Sequence, residues 1–358
     1  MTVKIMTNDG LWLEGGALKQ LETLDRYPGV ELVAGLPDLH GGRSPVGLAL
    51  LGRDFVYPYV VGNDIGCGMA LWETDIPIRK FKLDKAEKTL TAFGRLGRLD
   101  EDELAEYSSL IGSFDHRSDI GTIGGGNHFA EFQKIETVLE PETADKLSLS
   151  QDKIFLLIHT GSRSLGQSIL NAFSSETGYE LTSAEAGEYL SQHTLAMNWA
   201  VLNRRLVAER LLTKLGGSCR LILDLPHNFV ERRGPNLIHR KGAVSSERGP
   251  VLLPGSRGAF SYILEPEPDT SVWAYSLSHG AGRKWARSMC RERLSKKKMK
   301  TDLTRTELGS RVICYEAELL FQEAPEAYKN IQSVIEAMVA NQAARTAIVF
   351  RPLLTFKG

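Results

Sequence analysis

The chain has 358 residues, 42% hydrophobic and 24% charged, with a net charge of −1. That composition suits a folded globular protein with a large core. It excludes bulk basicity as the means of holding nucleic acid, so a polyanion site must be a local patch. The opening MTVKIMTNDG carries no apolar signal-like run, and no segment approaches the length of a membrane span, so neither secretion nor insertion is expected. Cys67, Cys219, Cys290 and Cys314 are too few and too scattered for a disulfide framework. A reducing cytoplasm is the simplest home, and there a lone thiol is free to bind metal.

Taken in chain order, residues 16–26 read as a short helix with Leu18, Leu21 and Leu24 on one side. Residues 46–61 and 67–73, rich in Val, Leu, Tyr and Trp, read as strands. Residues 81–112 read as helix, interrupted at Gly94–Gly97. The clearest helix spans Ala184 to Leu215. Thr182 and Glu185 have capping-box spacing, Leu190, Met197, Val201, Ala208, Leu212 and Leu215 form an apolar stripe, and Gly216-Gly217 stops it. Three strand-like runs, 154–158, 221–225 and 272–277, each lead to a histidine: His159, His227 and His279. A histidine after a buried strand sits at the rim of the core, where a rigid frame aims side chains into a cleft. RERLSKKKMK, residues 291–300, reads as a basic surface loop or helix end. Helices and strands mix without βαβ alternation, which predicts an α+β fold.

Two groups of residues carry chemistry. In GNDIGCGM, Asp64 and Cys67 stand three residues apart among glycines. One reading is a tight turn around a buried cysteine. The other is a metal site, with glycines letting the backbone approach an ion. The histidines favour metal. Of eight, five lie in glycine-rich or polar turns: His40 in PDLHGG, His128 in GGGNHFAE, His159 in IHTGSRS, His227 in LPHNFV and His279 in SHGAGR. His116 and His193 read as ordinary loop and helix residues. Nitrogen, sulfur and carboxylate together suit a transition metal, zinc ranking first on donor chemistry, and no four-cysteine cage is available for a structural site.

The second group is anion-binding. Gly124–Asn127, Pro254–Gly258 and Gly280–Arg283 are turns whose N–H groups can cradle phosphate, although none matches a P-loop or a dinucleotide fingerprint. Arg163, Arg232, Arg233, Arg240 and Lys241 offer a basic groove or, equally, a solvated face. His279 is open to two roles, phosphate-handling nucleophile or further metal ligand.

Together GLPDLHGG, NDIGCGM, GTIGGGNHFAEF, IHTGSRSLG, HNFV, HRKGAV, PGSRGAFSYI, SHGAGR, EAPEAYKNI and RPLLTFKG resemble the RtcB-type RNA ligases nearly end to end. The chain looks like the shorter branch, associated in bacteria with release factor H. The resemblance implies one α+β domain over residues 1–358, with a central β-sandwich-like core and peripheral helices. It implies two manganese ions and GTP. Asp64, Cys67 and His128 would hold the first ion, and His159 and His227 the second, with the Cys67 thiolate bridging and the glycines leaving room for the ions. His279 resembles the residue that becomes guanylylated. Asn127 would touch the nucleotide phosphate, and Phe129 and Glu131 the guanine. Ser256 and Ser261 match the guanosine pocket, and Tyr328 and Lys357 fall where the family closes over the base. The nucleotide site would also take in His128, His227, Asn228, Pro254, Gly255, Arg257, Gly280, Ala281 and Gly282. Asp38 would lie near the RNA end.

The expected reaction joins an RNA 3′-phosphate or 2′,3′-cyclic phosphate end to a 5′-hydroxyl end, in RNA repair that extends to ribosomal RNA cut in the decoding region. The altered periphery, with Ser278 and Pro226 where relatives often carry Cys and His, leaves the choice of RNA open. The competing readings are a metal-dependent cyclic phosphodiesterase and a non-catalytic, ribosome-associated RNA-binding factor. Intact His279 argues against the first, and the full ligand set against the second.

Overall fold

The computed structural model describes residues 2–111, 118–295 and 299–357. His116 and the lysines at 296–298 lie outside the described residues. Two β-sheets pack face to face. The larger runs in the order Val251–Leu253, Ser261–Pro266, Ala344–Lys357, Phe129–Val138, Lys153–Thr160, Gly68–Pro77 and Cys219–Pro226, with Arg311–Cys314 pairing alongside Ala344–Lys357. The smaller is Val3–Ile5, Val30–His40, Val46–Arg53, Asn236–Lys241 and Asn228–Arg233. Most neighbours are antiparallel; Val3–Ile5 with Val30–His40, and Arg311–Cys314 with its partner, are parallel.

The period of two decides which side chains meet. Met69, Leu71, Phe155 and Leu157 project from the larger sheet into a core shared with Ala34, Leu36, Ala49 and Ile238 of the smaller one. Their alternates, Ala70, Trp72, Leu156 and Ile158, face outward onto the helices Leu83–Phe93 and Ala184–Leu215. The outer face of the smaller sheet, Val33, Leu48 and Leu50, packs on Ala17, Leu21 and Leu24 of the helix Gly15–Leu24. Truncating Phe155, fully buried between the sheets, costs about 3–5 kcal/mol. The fold is α+β, a sheet sandwich with helices on both outer faces. Among the described residues no helix is long and apolar enough to cross a membrane.

The helix Ala184–Leu215 has the expected bounds, but its cap sits one residue later than the spacing suggested. Ser183, not Thr182, accepts from the Ala186 N–H at 3.2 Å, and Gly216 ends the helix at φ 70°. Its buried face also differs: Val201 is 45% exposed, while Ala200, Asn203, Arg204 and Val207 are fully buried. Two other expectations fail. Residues 58–61 form a short helix, Pro58–Val61, because Pro58 suits a first helical turn and not a paired strand. Residues 272–277 are mostly not strand. Ser271–Trp273 is a 3-10 turn, Ala274 and Tyr275 adopt φ 48° and 53°, and only Ser276–Ser278 pairs.

Candidate active site

At one end of the sandwich the inner face turns polar. The alternation that points Phe155 and Leu157 inward also points His159 inward. In the same way Glu131 follows Phe129, and Thr355 and Lys357 close their strand. These side chains open onto a cleft of about 1000 Å³.

Four segments bring five donors together there. Cys67 Sγ lies 3.3 Å from His128 Nε2 and 3.1 Å from His159 Nε2. His128 Nε2 is 3.0 Å from Asp64 Oδ2, and His159 Nε2 is 3.3 Å from His227 Nε2. His159 Nδ1 faces the Asn127 carbonyl at 3.1 Å; a carbonyl only accepts, so the proton is on Nδ1 and the Nε2 lone pair points into the cluster. Burial, and the charges of His128 and His279, hold His159 well below the usual histidine range. Burial does the same to His227. Burial also pushes the Cys67 thiol well up, and the Asp64 carboxylate pushes it further. At Asp64 burial acts upward, but His128 beside it wins and holds the carboxyl below its usual range.

Converging lone pairs and a buried thiol next to a carboxylate are the donor set of a cation site. Cys67, His128 and His159 offer atoms all within 4.8 Å of one another. Two ligands of a common tetrahedral ion, each about 2.0–2.3 Å from it, stand about 3.3–3.8 Å apart, which is close to the spacing here. The residues therefore fit a divalent transition metal. The flanking glycines do not serve to make room for it. A Cβ on Gly66 (φ 73°) would stand 2.9 Å from Ala200 Cβ, and one on Gly68 2.8 Å from the Leu225 carbonyl oxygen. They make room for the long helix and the neighbouring strand. The glycine that admits a ligand is Gly161, whose Cβ would lie 2.3 Å from Asp64 Oδ1.

Arg204, reaching in from the long helix, braces the site. Its Nη1 donates to the carbonyls of Gly66 at 2.8 Å and Thr160 at 2.9 Å, next to Cys67 and His159. Its Nε and Nη2 pair with Asp224 Oδ1 at 2.8 and 2.7 Å. Asn203 beside it donates to the Thr122 and Gly161 carbonyls.

His279 follows the strand Ser276–Ser278, its ring centroid 4.6 Å from that of His227. Its Nδ1 donates to Asp38 Oδ2 at 2.6 Å, and its backbone N–H donates to the same oxygen at 3.2 Å. Asp38 is fully buried. Burial alone would raise its pKa, yet the His279 charge and hydrogen bond keep it below the usual carboxylate range. The structure thus gives Asp38 a contact the sequence did not suggest, one carboxylate oxygen held by His279. A ring that donates through Nδ1 presents its Nε2 lone pair, as a nucleophile requires.

The residues expected on a nucleotide side also gather. Asn127, Phe129, Glu131, Asn228, Pro254, Gly255, Ser256, Arg257, Gly280, Ala281, Gly282, Tyr328 and Lys357 line the cleft with the five donors and His279. All three glycine turns therefore face one space. Ser261 departs from expectation: it sits behind the wall, its hydroxyl accepting from Gln133, which also donates to Glu131 at 2.7 Å. Asn228 clamps the Asp64 carbonyl and Gly242 N–H. Lys357 donates to the Gly126 and His128 carbonyls at 3.0 Å each. The Tyr328 hydroxyl donates to Glu323 and accepts from Arg283 at 3.1 Å.

The expected basic groove divides. Arg163 and Lys241 line the cleft. Arg240 is buried and paired with Glu231, and Arg233 pairs with Glu247. Of the basic run, residues 291–295 close the helix Arg287–Ser295, where Arg291 pairs with Glu318. His193 and His239 accept backbone N–H bonds from Val230 and Tyr57, which makes them structural.

The family model described as "tRNA-splicing ligase RtcB" matches residues 20–105 and 87–358. An Escherichia coli protein named RNA-splicing ligase RtcB2 is 42% identical over 99% of this chain and 95% of its own length. The RNA-splicing ligase RtcB of Escherichia coli strain K12 is 28% identical over 99% and 97%. The tRNA-splicing ligase RtcB of Nanoarchaeum equitans is 26% identical over 90% and 87%. The chain belongs to the RtcB family of RNA-splicing ligases.

Proposed function

We propose that this RNA ligase joins RNA 3′-phosphate ends, or 2′,3′-cyclic phosphate ends after hydrolytic opening, to 5′-hydroxyl ends with GTP. The observation that carries the reading is His279, held by Asp38 and placed beside His227 in a cleft that also holds the five-donor cluster. His279 Nε2 attacks the α-phosphorus of GTP; the N–P bond forms as the bond to pyrophosphate breaks. His279 keeps its Nδ1 proton in the hydrogen bond to Asp38, whose carboxylate stabilises the positive charge that grows on the ring. An oxygen of the RNA 3′-phosphate then takes the GMP, freeing His279 and leaving an activated RNA-ppG end. The 5′-hydroxyl gives up its proton to solvent and attacks the RNA phosphorus, and the P–O bond to GMP breaks as GMP departs.

The N–H groups of Gly124–Asn127, Pro254–Gly258 and Gly280–Gly282 are suited to the nucleotide phosphates. Glu131, which burial pushes up in spite of the Thr355 and Gln133 hydrogen bonds, is suited to the guanine edge, with Ser256, Tyr328 and Lys357 around the base. Asp64, Cys67 and His128 would hold one manganese ion, and Cys67, His159 and His227 a second. Bound there, the ions would supply Lewis-acid neutralisation of phosphate charge. We further assign the whole chain to one working domain in the cytoplasm, acting on RNA damage that includes ribosomal RNA, with a release factor H-like protein as companion.

The test is labelling with α-phosphate-labelled GTP and manganese, followed by denaturing electrophoresis. Acid-labile label on the wild type, lost in His279→Ala and Cys67→Ala, is expected. A fully metal-loaded wild type that takes no label, yet opens cyclic phosphates, would overturn the ligase reading in favour of a phosphodiesterase.

A further inference from the structure

We propose that Lys329 is a positioning residue that fixes Asp38, and through it the ring of His279, from the segment that carries Tyr328. The need for such a residue comes from the strand Val30–His40. Its pairing with Val46–Arg53 slips between Gly35 and His40, so residues 36–39 leave the ladder. Their carbonyls are buried and need donors. Lys329 Nζ donates to the Pro37 carbonyl at 2.9 Å and to the Leu39 carbonyl at 2.8 Å. The Asp38 carbonyl between them accepts from His40 Nδ1 at 2.8 Å. Two carbonyls two residues apart lie on one edge of an extended chain, so one ammonium holds both and sets the side chain between them.

The same residue reaches the far side of His279. The Lys329 N–H donates to the Gly282 carbonyl at 2.9 Å. Gly282, at φ 67°, leaves no space for a Cβ, which would lie 2.3 Å from the Asp38 carbonyl oxygen. Lys329 thus joins the strand bearing Asp38, the turn after His279 and Tyr328 on the base side of the cleft. It is 7% exposed, and burial brings it down to about 8 against the opposing pull of the Asp38 and Glu14 carboxylates. The buried Asp38 carboxylate attracts this ammonium, with Glu14 as a second counter-charge.

The activity readout rests on the ligase reading; the spectroscopic one does not. In histidine-labelled protein, the proton on His279 Nδ1, in so short a bond to a carboxylate, is expected as a far-downfield resonance absent from Asp38→Asn. Lys329→Met, which keeps the stem and removes the donors, should shift or abolish that resonance. It should also slow single-turnover labelling at saturating GTP by about 10–100-fold, the scale of a misplaced catalytic group. Half-saturation by GTP should stay within about threefold, because orientation and not ground-state binding is lost. Lys329→Gln, shorter and uncharged but still a donor, should fall between.

A folded Lys329→Met with an unchanged resonance and unchanged rate overturns the proposal. So does a lowered melting temperature with an unchanged rate, which assigns Lys329 to stability alone. If Lys329→Met does not fold, Lys329→Gln decides by the same two readouts. A shifted resonance in an enzyme whose wild type takes no label would refute the ligase chemistry and leave the positioning role standing.

Discussion

Arg204 offers the sharpest test of how the frame supports the cleft. Replacing it with Met keeps most of the buried stem and deletes the guanidinium. Three partners are stranded: the Asp224 carboxylate, whose side chain is 11% exposed, and the carbonyls of Gly66 and Thr160. Removing one member of a buried ion pair costs about 3–5 kcal/mol, and each carbonyl left without a donor adds about 1 kcal/mol. The expected loss is about 5–7 kcal/mol, a large fraction of the ~5–15 kcal/mol that holds a domain folded. Urea denaturation with linear extrapolation reads it directly. The double variant Arg204→Met, Asp224→Leu no longer buries a lone carboxylate and should recover about 1–3 kcal/mol of the loss. Because the two carbonyls flank Cys67 and His159, manganese affinity measured by calorimetry should fall about 10–100-fold in both variants. A loss below about 1 kcal/mol, or a double variant no more stable than the single one, would refute the account of Arg204 as a buried brace.

Other outcomes follow from the same geometry. Asp38→Asn leaves His279 without its carboxylate acceptor, and guanylylation at neutral pH should drop about 10³–10⁴-fold, as when a triad aspartate becomes asparagine; loss under about tenfold contradicts the orienting role. Since the folded Asp38 pKa lies below the unfolded value of about 3.9, its stabilisation is complete above that pH and fades as pH falls through the folded value. The acid limb of unfolding below about pH 4 should therefore be shallower in Asp38→Asn, and identical limbs there would contradict it. Gly161→Ala drives a methyl against Asp64 Oδ1 and should cost about 1–3 kcal/mol of stability while weakening manganese binding at least about tenfold; unchanged calorimetric affinity would show that Asp64 is not a ligand. Manganese at 100 times its dissociation constant should stabilise the wild type by about 2.7 kcal/mol, an effect that a chelator reverses and His159→Ala lacks. Equal stabilisation of His159→Ala would place the ion elsewhere.

Much of the site was legible in the sequence because its donors sit in short motifs of rare composition. His159 and His227 could be placed at strand ends from their apolar runs alone. Asp38 could not, since its role depends on a slipped register that brings it to a histidine 241 residues away. Arg204 and Asn203 were hidden for a different reason. They lie on the buried face of the long helix, and an apolar-periodicity reading skips polar residues there and drifts onto exposed Val201. The failed strand at 272–277 shows the limit of β-rich composition. Val272 and Trp273 read as strand, yet positive φ at Ala274 and Tyr275 turns the chain before pairing begins. Ser261 matched its motif and still faces away, because motif matching fixes position along the chain and not which neighbour a hydroxyl chooses.

One residue of chain separates the two sheets at the cleft: Cys219–Pro226 belongs to the larger, Asn228–Arg233 to the smaller, and His227 is the link. Its N–H is tied to the Cys67 carbonyl and its own carbonyl to the Ala243 N–H. The imidazole is therefore mounted on a hinge pin and not on either leaf. Any sliding of one sheet over the other, from a core substitution far from the cleft, must turn this pin and alter its spacing from His159. The ring pair would then work as a strain gauge for the whole sandwich, so that distant packing defects register as altered metal binding before they register as unfolding.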